Sequence, residues 1–573
     1  MQTANCTLTG QPFYIPDLEI QHCERLGIPL PTTSPLERMR TLMAFRNEWK
    51  LYKRKCDATG VDIISAYPPD SPFTIYNNAY WWSDTWDATD YGMDFDFSRG
   101  FFEQYKELQL KVPREGTTIF NSENCDYNSH IRQSKNCYLN SLVAKCEDTH
   151  YSYWVVGDKD VYDSMYTNNS TLCYFCSDVE KAYECVMLSE SSNCNNCYYS
   201  YQLKGCQNCL FCDNLSNKSY YIFNKPVSKE EFEATKKRVL NGSYETWKQN
   251  IEEFKKLRQK TVHQNIHSFN TENSTGDHLY NSRNCDYCFD AHESEDCYNC
   301  ISLDHSKDIV NSYSAGWPAC ELVYMCNVSR GSTNIAFCTY TWFSQNLMYC
   351  DSMNSCSDCF GCIGLRRKKY CILNKQYTKE EYEKILPKII EHMRTAASDV
   401  EGRAAGSAGE SKNTASPPCA EWGQFFPKEI SPFDYNETPA QNFFALTEAM
   451  ALDRGWRWRK EDPREYRVSS IEAIPDSIAH VTDSITKEIL ACEICGKNYK
   501  ITAQELKFYR STNLPIPRHC PTCRHEQKMV MRTLPFLWQR NCSMCSKEIY
   551  SSFDPNREEK TYCQECYRQE FLA

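Results

Sequence analysis

Small or apolar positions and polar positions recur in residues 122–226 with one fixed period. Cut into units, the stretch reads SENCDYNSHIRQ, SKNCYLNSLVAK, CEDTHYSYWVVG, DKDVYDSMYTNN and onward, each of twelve residues except AYECVMLSE, of nine. The fourth place runs Cys125, Cys137, Thr149, Val161, Cys173, Cys185, and the seventh Asn128, Asn140, Ser152, Ser164, Cys176, Leu188. A short fixed period is the mark of a repeat architecture. Each turn must climb about 4.8 Å for its strands to pair above and below. Twelve residues then allow two short strands and two tight corners, with a short-sided coil at the nine-residue unit. The interior of so thin a coil admits only small side chains, and cysteine is among the most readily buried. Cysteine and asparagine ladders are expected inside. Rows of aromatics (Tyr127, Tyr138, Tyr153, Tyr174, Tyr198) are expected on the outer faces.

The pattern returns after an interruption. CDNLSNKSYYIFNKPVSKEEFE ends the first stretch and CIGLRRKKYCILNKQYTKEEYE the second, so that Lys225 corresponds to Lys375. Ser228 and Thr378 each open a capping box, with Glu231 and Glu381 three places on. A helix is therefore predicted after each half, the first with a break at Asn241-Gly242. The predicted fold is mainly β: a parallel β-solenoid of twelve-residue coils in two duplicated halves, with helical inserts and small zinc-ribbon-like modules at both ends. An insertion near Ala315–Pro318 breaks the register of the second half.

The two ends of the chain are related. Shifted by 486 positions, Cys6 falls on Cys492, Gly10 on Gly496, Pro35 on Pro521, Arg38 on Arg524, Cys56 on Cys542 and Tyr76 on Tyr562, without a gap. The divisions that follow are 1–80, a degenerate zinc-ribbon-like module; 81–121, an aromatic and acidic cap on the first open end of the repeats; 122–227, the first half; 228–265, a helical insert; 266–377, the second half; 378–397, a helix; 398–418, a flexible linker; 419–490, a mixed connecting region with a helix over 438–454; and 491–573, a double zinc ribbon. Within the cap, a short helix is expected from Phe101 to about Leu110.

Composition narrows the setting. A net charge of −11 argues against wholesale coating of nucleic acid or an anionic membrane. No stretch approaches the roughly 20 apolar residues that cross a bilayer. With no signal peptide in MQTANCTLTGQPF, the thirty-five cysteines suit a cytoplasmic protein whose thiols are reduced or bound to metal.

The chemistry concentrates in four C-x-x-C knuckles: Cys492/Cys495, Cys520/Cys523, Cys542/Cys545 and Cys563/Cys566. A knuckle turns two thiolates onto one cation, and two knuckles complete a tetrahedron, so two Zn²⁺ are expected. Sequential pairing joins the first knuckle to the second and the third to the fourth; interleaved pairing joins first to third and second to fourth. In the N-terminal copy the other ligand positions have become Thr9, Ser34, Glu37, Thr59, Asn77 and Tyr80, too few donors for a structural zinc site. The C-x-x-C pairs inside the repeats recur in register, and Val, Thr, Ile and Leu replace them there. That favours packing over metal. Around the C-terminal knuckles lie Arg518, Arg524, Lys528, Arg532 and Arg540, with Phe536, Trp538 and Tyr509 as aromatics that could stack on bases. These are the candidate nucleic-acid contacts.

RNEWKLYKRKCDATG (46–60), YWWSDTWD (80–87), DFDFSRGFFEQYKELQ (94–109), NKSYYIFNK (217–225), SPFDYNET (431–438), DSITKEILACEICGKNY (483–499) and the P-x-P-x-x-C-P-x-C-R run at 515–524 carry a resemblance over nearly the full length. On these segments the chain resembles the uncharacterised cysteine-rich, zinc-ribbon-flanked repeat proteins common in candidate-phyla-radiation bacteria. The resemblance implies zinc-ribbon segments around repeats and supplies no activity.

Three functions compete. The preferred one is a non-enzymatic zinc-binding scaffold whose partner is a protein or a nucleic acid, with no membrane and no small-molecule cofactor. The second is a β-helix carbohydrate-active enzyme using Asp84, Asp87, Asp90, Asp94 and Asp96 as acid and base, with Trp81, Trp82 and Trp86 stacking on sugar. The third is a thiol-rich metal-storage or redox protein.

Overall fold

The computed structural model describes residues 2–395, 420–460 and 473–571. The linker expected at 398–418 lies outside them. The chain forms two compact units, each built from two separate stretches: 1–116 with 267–459, and 117–266 with 460–573. The N-terminal module therefore folds with the second repeat half, and the C-terminal module with the first.

Each unit holds a thirteen-stranded sheet whose repeat strands pair in parallel. Tyr153 pairs with Ser141 and with Met165, and Cys297 pairs with Cys285 and with Ile309, so these steps along the sheet advance twelve residues, while the first step of the second sheet, Ser268 to Leu279, advances eleven. The last strand of each sheet, Lys225–Pro226 or Lys375–Gln376, turns back antiparallel. The insertion in the second half stretches one step, pairing Lys307 with Glu321 and Ala315 with Ser329.

The rung differs in shape from the one expected. Gln133, Asn136, Leu139, Leu142, Lys145, Asp148 and Tyr151 all have φ between 50° and 59°, and the series runs on through both halves. Each twelve-residue rung thus turns at every third residue, giving four three-residue sides instead of two strands and two corners. Asn and Asp accept this left-handed backbone readily, whereas Leu or Tyr pays about 1–2 kcal/mol for it. The interior side chains also come every third residue. Cys125, Asn128, Ile131, Ser134, Cys137, Asn140, Val143 and Cys146 are all buried, so the fourth and seventh places share one interior. The three-residue side also removes the nine-residue coil. Cys173 pairs with Cys185 and Cys197 with Cys209, and Tyr183 with Asn195 between them, so the step stays at twelve. The cysteine pattern shifts by three residues, which moves it to the next interior column.

The interior is polar enough to need its own hydrogen bonds, and it makes them. Ser134 Oγ donates to the Arg132 carbonyl (2.8 Å) and accepts from the Cys146 amide one rung on (3.1 Å). Asn140 Nδ2 donates to Asn128 Oδ1 (3.0 Å) and to the Thr149 carbonyl (2.7 Å). Cys125 Sγ–H reaches the Glu123 carbonyl at 3.2 Å. A thiol, hydroxyl or carboxamide at these places satisfies backbone groups at the corners, and an apolar residue fills the same volume without that bond.

Residues 83–97 close the end of the second half. Met93 N–H donates to the Leu373 carbonyl (3.0 Å) and Asn374 Nδ2 to the Ala88 carbonyl (3.0 Å). Lys368 pairs with Asp87 (2.6 Å) and Lys375 with Asp94 (2.5 Å). Gly92 is required by the approach, because a Cβ there would lie 2.8 Å from the Lys375 backbone. Trp81 and Trp86 are buried and pack on each other, 5.8 Å between centroids, so they offer no open sugar-stacking face.

Helices Phe101–Lys111 and Lys379–Thr395 form where the sequence places them, and Lys229–Val239 and Tyr244–Lys260 flank the break at Asn241-Gly242. The helix expected over 438–454 is instead two short ones, Pro439–Phe443 and Glu448–Asp453. Phe444 leaves the helical region at φ −130°, and the Thr447 side chain caps a new start. Among the described residues no helix is long and apolar enough to cross a membrane.

Candidate metal centres

The first knuckle sits on the turn between the paired strands Leu490–Ala491 and Asn498–Tyr499. Cys492 N–H donates to the Lys497 carbonyl (3.0 Å) and Gly496 N–H returns to the Cys492 carbonyl (2.9 Å). Gly496 has φ 70°, a corner that glycine takes without steric cost. Cys520 and Cys523 come from the start of helix Pro521–Met531, which has proline at its first position. The second site repeats the plan: Cys542 and Cys545 follow strand Trp538–Asn541, and Cys563 and Cys566 lie at the start of helix Gln564–Phe571.

In each quartet all four sulfurs lie within 4.8 Å of one another: Cys492, Cys495, Cys520 and Cys523 in one, Cys542, Cys545, Cys563 and Cys566 in the other. Cys495 Sγ is 3.7 Å from Cys520 Sγ, and Cys545 Sγ is 3.9 Å from Cys563 Sγ. Four sulfurs at about 2.3 Å from a tetrahedral zinc stand about 3.8 Å apart, so the donor sets fit that ion. The pairing is sequential, and the interleaved alternative is set aside.

The first cysteine of each site is prepared as a thiolate. Burial alone would raise Cys492, but backbone hydrogen bonds from Cys520, Cys495 and Ile494 outweigh it and bring the thiol down to about 7. Cys542 is likewise raised by burial and lowered further by backbone bonds from Cys545, Cys563 and Met544, reaching about 6. Burial pushes Cys520 up to about 11, so without a cation the quartet holds protons, and a metal must displace them. Cys495 and Cys545 are exposed and the other six ligands buried, which leaves each site one open side.

The N-terminal copy keeps the turns and replaces the metal with hydrogen bonds. Cys6 and Cys56 make the same knuckle bonds, to the Gln11 and Val61 carbonyls (2.8 Å each). Asn77, at the place of Cys563, donates its amide to Cys56 Sγ (3.2 Å) and its Nδ2 to Thr59 Oγ1 (3.1 Å). Its Oδ1 accepts from the Tyr80 amide (2.7 Å). Ser34 Oγ accepts from the Glu37 amide (3.4 Å) in the other position.

The basic residues proposed for nucleic acid make contacts inside the unit of 117–266 with 460–573. Arg524 is 3% exposed, with its guanidinium 3.1 Å from Asp163 and 3.5 Å from Glu505. Lys528 is 1% exposed and 3.5 Å from Asp163; burial pushes its ammonium down to about 8 despite that carboxylate. Arg532 pairs with Asp178 at 2.9 Å and lies 3.6 Å over the Tyr166 ring. Arg518 donates to the Pro475 carbonyl (3.0 Å) and stacks on Tyr244. Arg540 donates to the Phe553 and Glu559 carbonyls. Tyr509 is fully buried. Arg524, Lys528 and Arg532 are thus held by carboxylates, and Arg518 and Arg540 by backbone carbonyls.

Asp163 and Glu505 are the residues that sequence reading missed. A signal existed for one of them. Glu19 stands where Glu505 does in the shifted alignment, and Arg38 pairs with Glu19 at 3.0 Å as Arg524 does with Glu505. Tyr324 donates to Glu19 (3.1 Å) and Tyr151 to Glu505 (3.0 Å), so each module grips its own sheet through one buried acid. Among the described residues, the repeat cysteines form columns, with no three sulfurs converging as the end quartets do. Of the acids read as catalytic, Asp87 and Asp94 bind lysines, and Asp96 accepts from the Ser98 amide at 2.8 Å. Comparison of the chain with protein-family models and with curated proteins finds no match.

Proposed function

We propose that this chain is a non-enzymatic scaffold: a parallel β-solenoid in two halves, each gripped by an end module, with two structural Zn²⁺ in the C-terminal module. The observation that carries this reading is the convergence of eight cysteine sulfurs into two quartets at tetrahedral spacing. Zinc is the ion best suited to four thiolates with no redox demand, and such sites add folding free energy directly. Binding would fix helix Pro521–Met531, which carries Arg524 and Lys528 onto Asp163. The zinc is thus structural, holding a clamp on the first half. The partner follows from what remains free. With the basic stretch turned inward, a protein partner is favoured over nucleic acid.

Metal analysis of the purified full chain tests the reading. Two zinc per chain are expected. Iron, or many metals per chain, would overturn it in favour of storage or redox chemistry in the cysteine columns.

A further inference from the structure

The two halves end alike and are covered differently. At the end of the second half, Leu365, Cys371, Ile372, Leu373 and Asn374 are each fully buried, and residues 83–97 bond to Leu373 and Asn374. The last rung of the first half has the same construction. Asn224 N–H donates to Cys212 Sγ (3.4 Å), as Asn374 N–H does to Cys362 Sγ (3.4 Å). Asn224 Oδ1 accepts from the Asp213 amide as Asn374 Oδ1 accepts from that of Ile363. Tyr220 meets Phe232 of the following helix at 5.8 Å, and Tyr370 meets Tyr382 at 5.8 Å.

Yet Phe223, the counterpart of Leu373, is 48% exposed, Asn224 is exposed, and Leu215 and Ile222 are only half-buried. Lys218 and Lys225, the counterparts of Lys368 and Lys375, are exposed and, among the described residues, carry no ion pair. A repeat stack with an unclosed end leaves apolar side chains and backbone edge groups in water.

We propose that this rung is a docking edge for an acidic, glycine-containing peptide of a partner protein, with a 3-10 turn between its first carboxylate and the glycine as at Ala88–Tyr91. The chemistry of the occupant is read from the covered twin. Two carboxylates flank a glycine, as Asp87 and Asp94 flank Gly92. One peptide N–H meets the rung's last free carbonyl, as Met93 does at Leu373. The glycine permits the close approach that a Cβ would block. Lys218 and Lys225 supply the complementary charge, and Phe223, Ile222 and Leu215 the apolar floor. This names the partner class of the scaffold and rests on that reading; zinc content, measured on the same samples, tests the scaffold separately.

The probe is a labelled synthetic peptide of residues 82–97 of this chain, titrated into the full zinc-loaded protein by fluorescence anisotropy. Saturable binding is expected, weakened at least tenfold by Lys225→Glu or Lys218→Glu with zinc content unchanged. A peptide carrying Asp87→Lys and Asp94→Lys should bind the doubly reversed protein and fail on the original. Absence of saturable binding overturns the proposal, as does binding indifferent to those lysines or lost instead through Lys368→Glu. Self-association of the chain that disappears with Lys225→Glu would make the occupant a second copy and overturn the choice of a separate partner.

Discussion

Asp158 occupies an interior place filled by Ser134 and Ser170 in other rungs. Its carboxylate accepts from the Ser170 amide (2.8 Å) and from the Thr167 hydroxyl, and the Cys146 thiol faces it. Burial dominates these bonds and raises the group from its ordinary 3.8 to about 7. In the unfolded chain the acid ionises near 3.8, whereas in the fold it keeps its proton to about 7. Its contribution to stability is full below pH 4 and is lost as pH rises through 7. That difference corresponds to about 4 kcal/mol by pH 8, of which about 1.4 kcal/mol accrues between pH 6 and pH 8. Asp158→Asn keeps the acceptor for Ser170 and removes the ionisation. Urea midpoints of the zinc-loaded chain at pH 6 and pH 8 give the test, because the window avoids acid release of metal. The variant is expected to gain about 1.4 kcal/mol on the original between the two pH values, with an unchanged denaturant slope. An equal pH dependence in both proteins, or a variant weaker at pH 8 than at pH 6 relative to the original, would refute the burial argument.

Further outcomes follow from the same contacts. Arg524→Met leaves Asp163 and Glu505 buried with their principal cation gone; a loss of about 3–5 kcal/mol is expected, read as amide exchange across 503–531. Cys495→Ser should lower zinc content from two to one per chain, whereas Cys6→Ser should leave it unchanged, since the N-terminal knuckle is closed by hydrogen bonds. Gly92→Ala should lift residues 83–97 from the last rung of the second half, seen as faster exchange of the Met93 amide and new protease cutting there.

The sequence revealed the period of the rungs and not their shape. Twelve residues showed because cysteine, serine and asparagine return to the same columns. Three-residue sides stayed hidden because Leu139, Trp154, Phe175 and Lys181 hold left-handed corners, and such residues give no turn signal. Reading cysteine as the marker of one column then turned a shift between columns into a short coil. The contacts of residues 83–97 were not legible for a related reason: these residues adjoin the first half in sequence, while their ion-pair partners, Lys368 and Lys375, lie far along the chain. The zinc ligands were legible because knuckle spacing is local. The fate of Arg524 and Lys528 was not, since their partner Asp163 is remote in sequence and sits at a corner of a rung.

The central claim is that metal is held by the eight end cysteines and by none of the cysteines in the columns. X-ray absorption at the zinc edge on the full chain measures this most directly. The expected result is a single shell of four sulfurs at about 2.3 Å for both ions, abolished at one site by Cys495→Ser. Nitrogen or oxygen in the first shell, or metal–sulfur signal persisting after loss of both quartets, would contradict the account.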